Sequence, residues 1–250
     1  MDGKDGIGSR YFKQFAASLD TIAIRQPENR PGDRMNTPAL HTEPDHLVVT
    51  ARTLADGMEW VADRLGVSMA PRIGGAHARL GTHNALLSLG PGFYLEVIAI
   101  DPDAPAPARA RWFGLDHLAA HATPRLAHWV ARTDDIHAAL AATPIKPGVV
   151  EEMSRGALHW LITIAADGAL QCDGAMPSLI QWQSQPHPAA ALPDLGCRLE
   201  KLEVVHPQAI QVAQALQALQ LHDRRVAWQA GAEARLAAAI LTPHGLRMLD

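Results

Sequence analysis

The sequence predicts an α+β fold made of repeated βαβββ units, and three observations carry that prediction. A strand, a helix and three further strands follow one another between residues 45 and 101, and a second such series follows between 124 and 185. A Gly90-Pro91-Gly92 turn joins apolar runs at 87–89 and 93–100, the mark of a β-hairpin. Glu96 interrupts the second of those runs, and a carboxylate in an apolar strand costs several kcal/mol, on the order of 2–7, unless something pairs with it.

The first unit, module one, spans 45–101. Its opening strand is expected at 45–51, where Asp45-His46-Leu47-Val48-Val49 brings an imidazole into a β-branched run. A helix follows at 53–65, then strands near 68–76, 85–89 and 93–100. A Pro/Ala-rich linker, 101–107, and a short helical connector at 112–123 separate it from module two, 124–185. Module two opens at 126–132. Thr133-Asp134-Asp135 supplies a helix N-cap cluster for a helix to about 141, and strands are expected near 145–153, 158–165 and 178–183.

The ends differ from the centre. Residues 1–44 are rich in Asp, Arg, Pro and Gly, with Phe12, Phe15, Leu19 and Ile22 giving one weak amphipathic pattern, so this segment is read as a marginal extension and Met35 as an alternative start. Residues 197–250 again read strand, helix and three strands, a degenerate third βαβββ-like module in which Lys201 falls near the position held by His46. A structural or homodimerising role suits it.

Composition narrows the function. A net charge of −4 gives no basic stripe for phosphates, so nucleic acid is not the expected partner. No apolar run reaches membrane-span length, and residues 1–34 lack the apolar stretch of a secretion signal. With two isolated cysteines, Cys172 and Cys197, no disulfide framework is expected, and a cytoplasmic location with a small-molecule partner follows.

The repeat selects residues. His46 and Glu96 stand 50 positions apart, on the opening and closing strands of module one, and His128 and Gln181 stand 53 apart in module two. A pseudo-twofold axis would bring all four into one cleft, where two imidazoles, a carboxylate and an amide oxygen suit a divalent metal ion.

Asp45-His46-Leu47-Val48-Val49, Gly81-Thr82-x-Asn84, Tyr94-Leu95-Glu96 and Pro177-Ser178-Leu179-Ile180-Gln181-Trp182 resemble the vicinal oxygen chelate superfamily, and within it the glyoxalase-like domain proteins, over residues 45–190. That resemblance implies paired βαβββ modules in a cup-shaped mixed sheet and, in many members, one divalent metal chelating adjacent oxygens of a small substrate. It places His46, Glu96, His128 and Gln181 at the metal side. Gln181 departs from the glyoxalase I pattern, since an amide cannot take a proton where a carboxylate base is usual. His77, Asn84 and Arg155 are candidate substrate contacts, and His187 a loop anchor. Trp129, Trp160 and Trp182 are core or cup lining.

Three functions are compatible with these residues. One is a metal-dependent lyase or isomerase in which Glu96 or bound water moves the proton. Another is an extradiol-type dioxygenase using His46, His128 and Glu96 on ferrous iron. The third is a metal-free protein that binds or sequesters a small molecule.

Overall fold

A computed structural model describes residues 40–69 and 74–250. The helical pattern around Phe12 to Ile22 lies outside the described residues, as does part of the strand expected at 68–76. Among the described residues no helix is long and apolar enough to cross a membrane.

Module one comprises β1 (Thr42–Thr50), α1 (Leu54–Leu65), β2 (Gly74–His77), β3 (Thr82–Ser88) and β4 (Tyr94–Ile100). Module two comprises β5 (Arg125–Thr133), α2 (Ile136–Ala142), β6 (Val149–Arg155), β7 (Leu158–Ile164) and β8 (Ser178–Trp182). The expected connector at 112–123 is shorter, a 3-10 turn over Trp112–His117. The two modules share one eight-stranded mixed sheet, ordered β2-β3-β4-β1-β5-β8-β7-β6. In each module the opening strand pairs in parallel with the closing one, β1 with β4 and β5 with β8, and the modules join antiparallel along β1 and β5. The sheet curls into a nearly closed cup, so that its two end strands, β2 and β6, come close.

Local sequence explains the helices. Thr53 caps α1 by accepting the Asp56 N–H at 3.1 Å, and Gly66, at φ 70°, ends it in a left-handed turn. Gly57 in the middle of α1 costs helix propensity, but a Cβ there would meet Val97 Cγ1 at 2.5 Å, so glycine is what lets the helix lie close on the sheet. Asp135 caps α2, accepting the His137 and Ala138 N–H groups.

Strand alternation divides the apolar residues into two cores. Leu47, Val49, Leu95, Val97, Trp129 and Leu179 face the helices outside the cup. Val48, Ile98, Val130, Trp160, Ile162 and Ile180 face inward, joined by Trp112 and Phe113. Trp129 is thus outer core, while Trp160 and Trp182 belong to the lining.

The C-terminal segment runs β9 (Arg198–His206), α3 (Ala209–Ala218), β10 (Val226–Ala230), β11 (Arg235–Thr242) and β12 (Gly245–Leu249) in a separate four-stranded sheet, β10-β9-β11-β12. Its element order repeats βαβββ, but its pairing does not. Here the opening strand pairs in parallel with β10, the first strand after the helix, whereas modules one and two pair it with the last. This sheet and α3 pack on the outer face of the cup and share its core, with Leu199, Leu202, Val204, Leu216 and Ile240 joining Leu47 and Leu95.

Candidate functional site

The site begins with an irregularity in β1. Its pairing with β5 slips between Pro44 and His46, so Asp45 is the extra residue of a β-bulge. In a regular strand Asp45 and His46 would point to opposite faces. The bulge lets them touch, with Asp45 Oδ1 2.6 Å from His46 Nδ1.

Asp45 is fully buried and is the hub of four polar contacts. Its Oδ2 accepts from Trp182 Nε1 at 3.0 Å, lies 2.9 Å from His187 Nε2, and receives Arg132 at 3.4 Å. Burial opposes its charge, but the hydrogen bonds with His187 and His46 hold its carboxyl well below the usual carboxylate range.

On its other side His46 presents Nε2 to Glu96 Oε2 at 3.5 Å, and its ring stacks on Tyr94 with centroids 4.5 Å apart. Burial favours the neutral ring. The two carboxylates override it and raise His46 to about 9, so the ring is an imidazolium held between two anions.

Glu96, also buried, accepts the Asn84 side-chain amide at Oε1, 2.5 Å away. Against the cost of burial, His46 and then Asn84 keep its pKa below the ordinary value. Asn84 Oδ1 accepts from Arg155 at 2.7 Å and from the Gly75 N–H at 2.9 Å. Arg155, on β6, reaches across the seam of the cup to Asn84 and to His77 Nε2 at 3.3 Å. Gly75 leaves room for this approach, since a Cβ there would stand 3.0 Å from Arg155 Cδ, and Gly74 lets β2 lie close on β3, since a Cβ there would stand 2.0 Å from the Asn84 carbonyl oxygen. His77 is buried, edges onto Trp112, and lies near Thr82 Oγ1 at 3.1 Å. Burial lowers its pKa to about 4, so it is neutral.

Five of the predicted residues therefore form one network inside the cup: His46, Glu96, His77, Asn84 and Arg155. His128 faces inward too, beside Val48 on the neighbouring strand, but its Nε2 engages Ser178, with the backbone N–H at 3.1 Å and Oγ at 3.0 Å. Gln181 is on the opposite face. Its side-chain oxygen accepts the Ile136 N–H at 3.0 Å at the start of α2, outside the cup.

Parity explains the difference. A separation of 50 preserves the face in the repeat, and 53 reverses it, because successive strand residues alternate. The residue 50 positions after His128 is Ser178, the counterpart of Glu96, and the two His–partner pairs mirror one another. That equality was readable from the sequence. The Asp45 hub was not, because His187 and Trp182 lie 142 and 137 positions away.

The metal expectation is tested by this donor set. The four pseudo-twofold positions carry His46, Glu96, His128 and Ser178, a hydroxyl standing where a second carboxylate would complete a metal site. Both His46 nitrogens point at carboxylates, and His128 Nε2 accepts a backbone N–H. Among the described residues no three His, Cys, Asp or Glu side chains converge as a metal-binding group. The side chains as placed do not fit a divalent ion.

Comparison with known proteins places this geometry in context. The profile of the Glyoxalase-like domain family matches residues 45–220. A hypothetical protein from Staphylococcus aureus has a similar structure, with a TM-score of 0.52, 13% identity, and coverage of 78% of this chain and 88% of that one. Methylmalonyl-CoA epimerase from Mycobacterium tuberculosis matches at a TM-score of 0.39 and 17% identity over 59% of this chain and 91% of its own. A methylmalonyl-CoA epimerase in complex with methylmalonyl-CoA and NH4+ matches at 0.38 and 18% identity, over 57% of this chain and 96% of its own. No curated protein sequence matches the chain.

Proposed function

Because the chain belongs to the glyoxalase-like domain family of the vicinal oxygen chelate superfamily, we propose that it is an isomerase- or lyase-type enzyme in which Glu96 moves a proton of a small oxygen-rich substrate bound in the cup. The observation that carries this reading is a buried carboxylate kept ionised by specific partners: Glu96 with His46 at 3.5 Å and Asn84 at 2.5 Å. The lowered pKa keeps Glu96 deprotonated at neutral pH and so ready to accept a proton from a carbon acid positioned against it, and its imidazolium neighbour can return the proton or oppose the developing negative charge.

The other network residues have matching parts. Asp45 holds the His46 ring in orientation and balances its charge, as the third member of a triad does. Arg155 brings a cation to the seam beside Asn84, where an anionic or enolate oxygen would be met. No step is assigned to a metal, since the donors present do not converge on one.

Glu96→Gln tests the reading. The amide keeps the hydrogen-bonding shape but cannot take a proton. Exchange of the α-proton of small 2-oxo and thioester compounds into deuterated water, followed by NMR, should be catalysed by the wild type and fall at least about 100-fold in the variant, the scale of a lost general base. Exchange that survives Glu96→Gln would place the base elsewhere. Binding without exchange in the wild type would favour the sequestering protein over the enzyme.

A further inference from the structure

The carboxylate assigned to proton transfer is covered. Glu96 is 5% exposed, and its partners His46 and Asn84 are equally buried. The covering element is the connector between β4 and β5, residues 101–124, which runs exposed or half-buried except at Trp112, Phe113 and Leu115. Those three side chains insert into the inner core together with Val48, which pairs with Glu96 in register, and Ile98, two residues along its strand. Trp112 edges onto His77, with centroids 4.9 Å apart, and donates from Nε1 to Thr82 Oγ1 at 3.2 Å. The cavity left beside Trp112 and Phe113 measures about 10 Å³, room for roughly one water and too small for a carbon acid. A substrate reaches Glu96 only if the connector moves.

The connector is built to move as one piece. Arg111 closes its base on Asp116, with the backbone N–H donating to Oδ2 at 2.7 Å and the guanidinium to Oδ1 at 2.7 Å, so the loop 111–116 holds its own shape. Among the described residues its polar ties to the rest of the fold are Trp112 to Thr82, the Gly114 N–H to the Gly168 carbonyl at 2.8 Å, and Arg111 to the Gly81 carbonyl at 3.4 Å. Phe113 and Gly114 are both left-handed, at φ 56° and 69°, a backbone that a bulky residue rarely adopts. A long connection with a self-closed tip, sparse bonding and a strained seat opens before the strands around it.

We propose that residues 111–116 are a lid over Glu96: the loop swings out as a unit, withdraws Trp112 and Phe113 from the cup, and closes again over a bound substrate as Gly114 returns to its left-handed turn. Seated, the two rings keep water from the carboxylate; withdrawn, they leave the substrate its space. The part the lid plays in catalysis rests on the Glu96 reading, and its opening does not.

The test uses the full chain carrying Val48→Cys, which puts a small thiol on the fully buried inner face beside Glu96, with iodoacetamide as the probe and alkylation at position 48 read by mass spectrometry. Ile98→Cys, on β4 under the same loop, is a second reporter and should behave alike. The thiol should be alkylated without urea, at a rate that stays level to about 1 M urea, because opening a six-residue loop exposes little surface. Adding Gly114→Ala should raise that rate at least about 5-fold: the new Cβ meets nothing within 4 Å, so it makes no hole and strains only the seated loop. Alkylation that appears only as urea unfolds the whole chain overturns the proposal, and so does a rate unmoved by Gly114→Ala. No substrate enters these measurements. A gated thiol in a protein that catalyses no α-proton exchange therefore upholds the lid and removes the Glu96 reading, whereas exchange that is lost in Glu96→Gln beside an ungated thiol removes the lid alone.

Discussion

At the scale of single residues, one bulge decides the chemistry. Asp45 and His46 touch because the strand gains a residue there, and this joins two buried anions through one imidazolium. The pH dependence has a definite sign. His46 is raised from 6.5 to about 9, so its contribution to stability is fully present below pH 6.5 and is lost as pH rises through about 9. Asp45 and Glu96 are depressed, so theirs is present above their ordinary values of 3.8 and 4.5 and lost in acid. The urea midpoint should therefore be highest near pH 4.5–6.5 and decline toward pH 9. Asp45→Asn should lower that plateau by about 3–5 kcal/mol, the usual cost of breaking a buried pair, and flatten the alkaline decline. An unchanged alkaline limb in the variant would show that His46 is not the charged centre. The sequence disclosed Glu96 and His46 as an anomaly in apolar strands, but the slip in register that unites His46 with Asp45 leaves no mark in composition or period.

At the scale of elements, the strands and helices of both modules were legible because their apolar runs are long and their turn and cap residues are explicit: Gly90 to Gly92, Thr53, Asp135. What failed was parity in β8, a five-residue strand too short for its alternation to fix a face unaided. Gln181 consequently supports α2 and not the cup. Gln181→Ala should cost about 1 kcal/mol of stability, one hydrogen bond to a helix N-terminus, and leave the His46 and His128 ring resonances in place. A shift of those resonances would return Gln181 to the site. The C-terminal unit gives the complementary case, where element order was readable and pairing was not, since βαβββ admits a parallel partner either first or last after the helix.

For the whole molecule, the C-terminal sheet is part of the cup's structure. Leu199, Leu202 and Val204 share one core with Leu47, Val49 and Leu95, and the chain end is tied back by Arg64 to Asp250 at 2.7 Å. A chain ending at Gly196 should expose that core, bind ANS and lose its cooperative melting transition. Cooperative melting of the shortened chain would mean that residues 40–196 fold alone. The seam between β2 and β6 has a further consequence, for colloidal behaviour. Arg155 to Asn84 and Arg79 to the Glu152 carbonyl staple together the two margins of the eight-stranded sheet, so neither offers a bare row of amides to another chain. In the smaller sheet β10 pairs with β9 alone and carries the partly exposed Trp228. Under heat or crowding, strand-by-strand growth of aggregates should start at β10, and Trp228→Lys should delay the rise in thioflavin fluorescence while substitutions along β2 and β6 that keep the staple do not.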